Sequence, residues 1–182
     1  MKTIIPIITA LLLSASGAAF CATLSVDQDR SRIQVDAKAT GHAFTGTLNQ
    51  YTATVSGDNT TLAPASFELK WSFTDLKTAD AKRDIEMIKW LGGGKPQGTF
   101  KFVKSWTDKK GATNAQGTLT INGVSKTVHF PYTAKKEDGW VTIDGNVSLD
   151  YQNFSLPIIR SMAVMTVDPK LTVRFHVVGK VK

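Results

Sequence analysis

The chain predicts an all-β fold interrupted by one helix, and three features carry that expectation. Phe67, Leu69, Trp71 and Phe73 stand at every second position, with Glu68, Lys70 and Ser72 between them. Successive side chains of an extended strand face opposite ways, so this segment has one apolar face and one wet face. The same alternation returns in most later segments, with turn residues between them. The period changes once, between Thr78 and Leu91, where Ala81, Asp84 with Ile85, Ile88 and Leu91 fall on one helical face.

The first residues read as a leader. Lys2 supplies a positive start, Ile4 to Leu13 are apolar apart from Pro6 and Thr9, and small residues continue to Ala19. This is the pattern of a secretory signal peptide, cleaved after Cys21 or Ala22, so residues 1–22 form the expected leader and 23–182 the mature domain. The apolar run is shorter than the roughly 20 residues of a spanning helix. Cys21 also lies where a lipoprotein cysteine would, but Phe20 before it is bulky for a lipobox. Cys21 is the only cysteine, so the exported domain relies on its core and not on disulfides.

Ile33, Val35, Ala37 and Ala39 alternate with Arg32, Gln34, Asp36 and Lys38 as a first strand. Gly41 to Gly46 reads as a break containing His42 and Phe44, and Leu48 to Val55 as extended again before the turn Ser56-Gly57-Asp58-Asn59. The Phe67–Phe73 strand follows. The helix has Thr78 or Asp80 available as N-cap and stops at Gly92-Gly93-Gly94. Strands resume at Gly98–Trp106, turn through Asp108 to Gly111, and continue at Gly117–Ile121. Asn122-Gly123 is the strongest hairpin signal, leading into Lys126–Ala134. Lys135 to Gly139 turn the chain into Trp140–Leu149, and Leu171–Val178 is the last strand. About seven to nine antiparallel strands fit a single-domain sandwich or barrel. Full charges on the polar face, such as Glu68, Lys70, Lys101, Asp144 and Arg174, argue for a soluble barrel over a membrane one.

Charge and motifs narrow the function. Lys and Arg outnumber Asp and Glu by 22 to 15, a formal +7 that favours anionic partners such as a membrane surface. No basic run with interleaved aromatics suggests nucleic acid. His42, His129 and His176 are far apart, without metal-type spacing, and no G-x-S-x-G elbow is present. Asp84 and Asp150 could converge, but no spacing requires it. The triple glycine follows a helix and does not open one, so it is a helix stop and not a phosphate loop. No catalytic residues, metal site or cofactor are expected.

The order of these pieces resembles the YceI-like family of exported lipocalin-like proteins. The matching stretches are Ser31-Arg-Ile-Gln-Val, Gly41 to Gly46, Phe73-Thr-Asp-Leu-Lys-Thr, Arg83-Asp84, Gly98-Thr-Phe-Lys-Phe, and the hairpin from Gly117 to Val128. Together they span nearly the whole mature chain. It departs from the family pattern at Arg30, Trp90-Leu91, Lys95-Pro96 and Tyr151-Gln-Asn-Phe154-Ser155. The resemblance implies an eight-stranded antiparallel lipocalin-like barrel with a short helical insertion, about 79–91. It also implies a periplasmic location and a polyisoprenoid, either a quinone or a prenyl phosphate, bound in the lumen without catalysis.

On that basis the expected lumen residues are Ile33, Val35, Phe67, Leu69, Trp71, Phe73, Phe100, Phe102, Phe130, Tyr132, Val173 and Phe175. Ile85, Ile88 and Leu91 would close one end, and Phe154 with Tyr151 would line the mouth. His42 and Arg83 are candidates to meet a head group, whereas Asp84 is expected to cap or brace the helix. The alternative is a non-catalytic stress-response or interaction module with a packed barrel and a basic membrane-facing surface. A homodimer is left open.

Overall fold

The computed structural model describes residues 21–161 and 165–182. The expected leader lies outside these residues except for Cys21 and Ala22, the first two positions of a 19-residue strand, β1 (Cys21–Ala39).

In chain order follow β2 (His42–Leu48), β3 (Thr52–Asp58), β4 (Pro64–Ser72), β5 (Leu76–Lys77), α1 (Ala81–Trp90), β6 (Gln97–Thr107), β7 (Thr113–Ile121), β8 (Val124–Glu137), β9 (Trp140–Asp150), β10 (Arg160–Ser161), β11 (Met165–Thr166) and β12 (Lys170–Val181). Eight of these close a ring in the order β1, β12, β9, β8, β7, β6, β4, β3 and back to β1, with every pairing antiparallel. Closure removes the free edges that would otherwise invite aggregation.

Two strands of the ring are interrupted. β3 pairs with Cys21–Leu24 at one end of β1, while β2 pairs with Gln34–Ala39 at the other. The segment expected to be extended from Leu48 to Val55 is therefore broken at residues 49–51. The expected break at 41–46 shrinks to a turn at Thr40-Gly41, where Gly41 takes φ 84°. Likewise β4 gives way to a 3₁₀ turn, Phe73–Asp75, before β5 joins β2. The β1–β12 register shifts between Asp27 and Arg32. Ser31 repairs the ladder there: its hydroxyl accepts from the Val178 amide at 2.9 Å and donates to the Asp27 carbonyl at 2.5 Å.

The Tyr51 ring packs beside this bulge with Ile33, Leu48 and Leu76. Burial pushes its phenol upward, and Ser31 is near enough to soften the rise. Ser31 is already committed to Asp27 and Val178, however, so the buried Tyr51 hydroxyl is left without a hydrogen bond. An unpaired buried hydroxyl costs free energy. Tyr51→Phe is expected to be neutral or stabilising by up to about 1 kcal/mol, read as a rise in Tm.

The wall's outer face carries ion pairs such as Arg174 with Asp36, at 2.5 and 2.9 Å. The hydrogen bond from Arg174 holds the Asp36 carboxyl below its ordinary range. Its contribution is therefore present above the unfolded value of about 3.9 and fades as pH falls through the lower folded value. Both partners are substantially exposed and screened by solvent, so the effect is small. Urea melts of Asp36→Asn against wild type should differ at pH 6 and converge toward pH 2.

The strands run between two ends of the barrel. One gathers the turns at 59–63, 108–112 and 138–139. The other gathers the turns at 40–41 and 122–123, the excursion 73–96 containing α1, and the segments 151–161 and 165–169. The helix spans Ala81–Trp90, slightly inside the expected 79–91, because Ala79 takes φ 60° and Asp80 is the extended N-cap. The Asp80 carboxylate accepts from the amides of Lys82 and Arg83. Gly92, Gly93 and Gly94, all at positive φ, end the helix as expected.

Candidate functional site

Inside the ring lies a cavity of about 1490 Å³ with an overwhelmingly apolar wall. Its origin is visible in the packing. Aromatic residues of a filled core are normally almost wholly buried, yet Phe67, Trp71, Phe73, Phe102, Phe130 and Phe175 line the cavity and remain half-buried. They pack edge-on or tilted: Phe67 on Phe100 at 5.6 Å, Phe100 on Phe130 at 5.7 Å, Phe130 on Phe175 at 5.5 Å, and Trp71 on Phe73 at 5.8 Å. This aromatic belt lines the wall without filling the middle.

Three wall glycines let the rings lie flat. Gly98 opposes Trp71 in register and Gly145 opposes Phe175, while the Phe100 ring crosses Gly117. A Cβ at any of the three would overlap the aromatic ring beside it. Pairing an inward glycine with a cross-strand aromatic thins the wall at that point and keeps the ring out of the lumen.

Most of the expected residues reach this cavity. Ile33, Val35, Phe67, Leu69, Trp71, Phe73, Phe100, Phe102, Phe130, Tyr132, Val173 and Phe175 all line it, as do Ile85 and Leu91 from the helical excursion. Two do not. Ile88 turns to a shallow outer groove it shares with Phe73, Leu76 and Ile85, and Phe154 is 3% exposed within the buried cluster of Leu91, Tyr151 and Leu156, against which Met87 and Trp90 of α1 pack. Tyr151 does reach the lumen wall, stacking edge-on against Trp90 at 5.1 Å.

The structure also brings in residues the sequence reading missed. Phe44 lines the lumen because His42–Leu48 is a strand and not a loop. Leu119 and Val147 line it from the inward parity of Gly117 and Gly145, a signal present in the alternation but diluted by the glycines.

At the helix end Arg83 and His42 come together around Phe44. The Arg83 guanidinium lies 4.2 Å over the Phe44 ring and donates to Thr78 through Nε (2.9 Å, to Oγ1) and a terminal nitrogen (2.7 Å, to the carbonyl). The exposed His42 ring sits 6.2 Å from Phe44. Asp84 braces this corner by accepting from the Thr78 hydroxyl at 2.6 Å and its amide at 3.0 Å. Asp84→Ala removes that acceptor from the buried Thr78, at an expected cost of about 1–3 kcal/mol. Hydrogen exchange should then quicken in α1 while β7 and β8 keep their protection.

His129 and His176 are exposed on the outer face, against Trp106 and 2.6 Å from Asp144 respectively. Among the described residues no three His, Cys, Asp or Glu side chains gather as a metal site would need.

An eight-stranded antiparallel barrel, helix-capped and hollow, defines a lipocalin-like class of ligand-holding proteins. Within that class the chain belongs to the YceI-like family, whose domain it matches over residues 24–179. Among solved structures it is similar to Burkholderia cenocepacia BcnA, with 20% identity and a TM-score of 0.72 over 85% of this chain and 99% of that one. It is also similar to the Campylobacter jejuni YceI protein, with 17% identity and a TM-score of 0.61 over 75% and 84% of the two chains. A mutant of that protein with a monobromobimane guest gives 16% and 0.62 over the same shares. At these identities the likeness is one of fold. No curated protein is significantly similar to the chain in sequence.

Proposed function

We propose that this protein is a periplasmic lipid-binding protein that sequesters or carries a polyisoprenoid, a quinone or prenyl phosphate, in its barrel lumen. The observation that carries this reading is the cavity itself. At about 1490 Å³ it exceeds the roughly 300–1,000 Å³ typical of pockets for drug-sized ligands, and its wall offers almost nothing to hydrogen-bond water. An apolar hollow of that size favours a long apolar occupant, each buried CH₂ of which gains roughly 0.8 kcal/mol. The same volume argues against a packed interaction module.

Arg83 and His42 stand at the helix end, where a polar or anionic head group would emerge. Arg83 is pre-oriented by Thr78 and Phe44, so it would meet such a group with little further loss of side-chain freedom. Membership of the YceI-like family and the secretory pattern of residues 1–22 support the location.

The test is organic extraction of protein purified from its native host without detergent, followed by mass spectrometry. An isoprenoid near one per chain is expected. Recovery of no lipid from a monodisperse, folded sample would overturn the assignment.

A further inference from the structure

The two ends of the barrel differ in the residues that border the lumen. At the hairpin end Leu62 borders the lumen, half-buried, and packs with Leu24, Val55 and Val141. Asp58, the charged residue bordering the lumen there, is turned into the amides of Thr60 and Thr61. At the helix end the border is exposed and of mixed character. Ile85 is 55% exposed and Ile158 36%, although both border an apolar cavity. Helix α1 buries none of its side chains fully. Pro157, beside Ile158, is held to the helix by the Trp90 indole N–H at 2.9 Å.

The cationic residues bordering the cavity, Lys82, Arg83, Lys89 and Arg160, all stand at this end. Of the acids beside them, Asp80 accepts from helix amides, Asp84 from Thr78, and Glu86 pairs with Lys89 at 2.8 Å, so four cations face three carboxylates and the rim stays net positive. Exposed aliphatic side chains at a cavity mouth, ringed by excess positive charge, match a bilayer's chemistry: apolar groups enter the acyl boundary while Lys and Arg meet lipid phosphates.

We propose that the helix end, carried by Ile85, Ile158, Lys82 and Arg160, is a docking face for an anionic bilayer, seated so that the lumen opens directly onto the membrane. The purpose rests on the lipid-carrier reading, since a water-insoluble cargo would then pass between bilayer and barrel without crossing water. The docking itself requires no cargo. A rival face exists on β6, where Val103 and Trp106 are 53% and 39% exposed near Lys109 and Lys110 of the opposite-end turn. It has no continuity with the lumen, and Trp106 rests against His129.

The experiment is flotation of the purified protein with vesicles of phosphatidylglycerol and phosphatidylcholine that contain no isoprenoid. Binding is expected at 0.1 M salt, reduced at 0.5 M and weak on phosphatidylcholine alone. Charge reversal by Lys82→Glu with Arg160→Glu should weaken it by at least about 30-fold. Ile85→Ser with Ile158→Ser should weaken it at unchanged net charge, and Trp106→Ser with Lys109→Glu and Lys110→Glu should leave it near wild type.

Equal loss in the rim and β6 variants, or loss only in the β6 variant, overturns the proposal. So does equal retention of the protein on a soluble polyanion that the isoleucine variant does not reduce, which would indicate an acidic macromolecular partner. All variants are surface changes, and matching circular-dichroism melts exclude misfolding. Because the vesicles lack isoprenoid, a protein that docks yet yields no lipid from its host overturns the carrier reading alone.

Discussion

Tryptophan at both Val35 and Val173 is expected to leave the barrel folded and empty of lipid. The two valines face each other across the β1–β12 pairing, half-buried, and both line the lumen. Each indole would bring about 150–250 Å² of surface into space that protein atoms do not occupy. Stability should therefore hold or rise by about 1–3 kcal/mol, at the upper end of what such burial yields. In a packed interior the same pair would cost about 1–3 kcal/mol per site through overpacking. The sign of the change in Tm thus separates a hollow barrel from a filled one before any ligand is identified. Mass spectrometry of the variant from the native host should show bound isoprenoid reduced at least about tenfold. A destabilised variant that keeps its lipid would contradict both parts.

Gly145→Val should act in the opposite sense. Its side chain would collide with the Phe175 ring and approach the Pro131 carbonyl, which a Cβ alone would meet at 2.8 Å. The ring can leave only into the lumen, away from its contact with Phe130, or else β9 and β12 must part. Such overpacking against backbone is expected to cost about 3 kcal/mol or more, lowering Tm by roughly 10 °C in a domain of this size. Phe175→Leu combined with Gly145→Val should recover part of the loss, because the smaller side chain vacates the glycine. Additive effects in that double variant, or a single variant that melts with wild type, would remove the glycine–aromatic pairing as an organising feature of the wall.

Much of the site was legible because inward parity is a local property. Phe67, Leu69, Trp71 and Phe73 needed only their own spacing to be assigned to one face, and that face is the lumen. Asp84 is recognisable as a brace for the same reason: its partner, Thr78, lies only six residues earlier, just before the N-cap Asp80. The errors have equally local causes. His42 to Gly46 looked like a break because two glycines bracket it, yet pairing to β1 over six residues overrides their propensity. Ile88 shares a helical stripe with Ile85 and Leu91, but it lines an outer groove with Phe73 and Leu76 instead of the lumen. Position in the chain suggests a mouth for Phe154, whereas the 3₁₀ turn Tyr151–Phe154 buries it with Leu91 and Leu156.

The amino-acid sequence by itself determined the alternation of the strands, the hairpin at Asn122-Gly123, the helix and its glycine stop, and the family. The strands, hairpin and helix depend on residues within a few positions of each other, where sterics and periodicity act directly, and the family on the order of such pieces along the chain. Only the tertiary structure decided that the interior is hollow, that Leu62 packs against Leu24, Val55 and Val141 at one end, and that Ile85, Ile158, Lys82 and Arg160 share a rim at the other. Cavity volume is set by how many strands close the ring and by which glycine each aromatic lies against. Partners such as Gly145 and Phe175 are joined by strand register across the barrel, and nothing in the spacing along the chain encodes that distance.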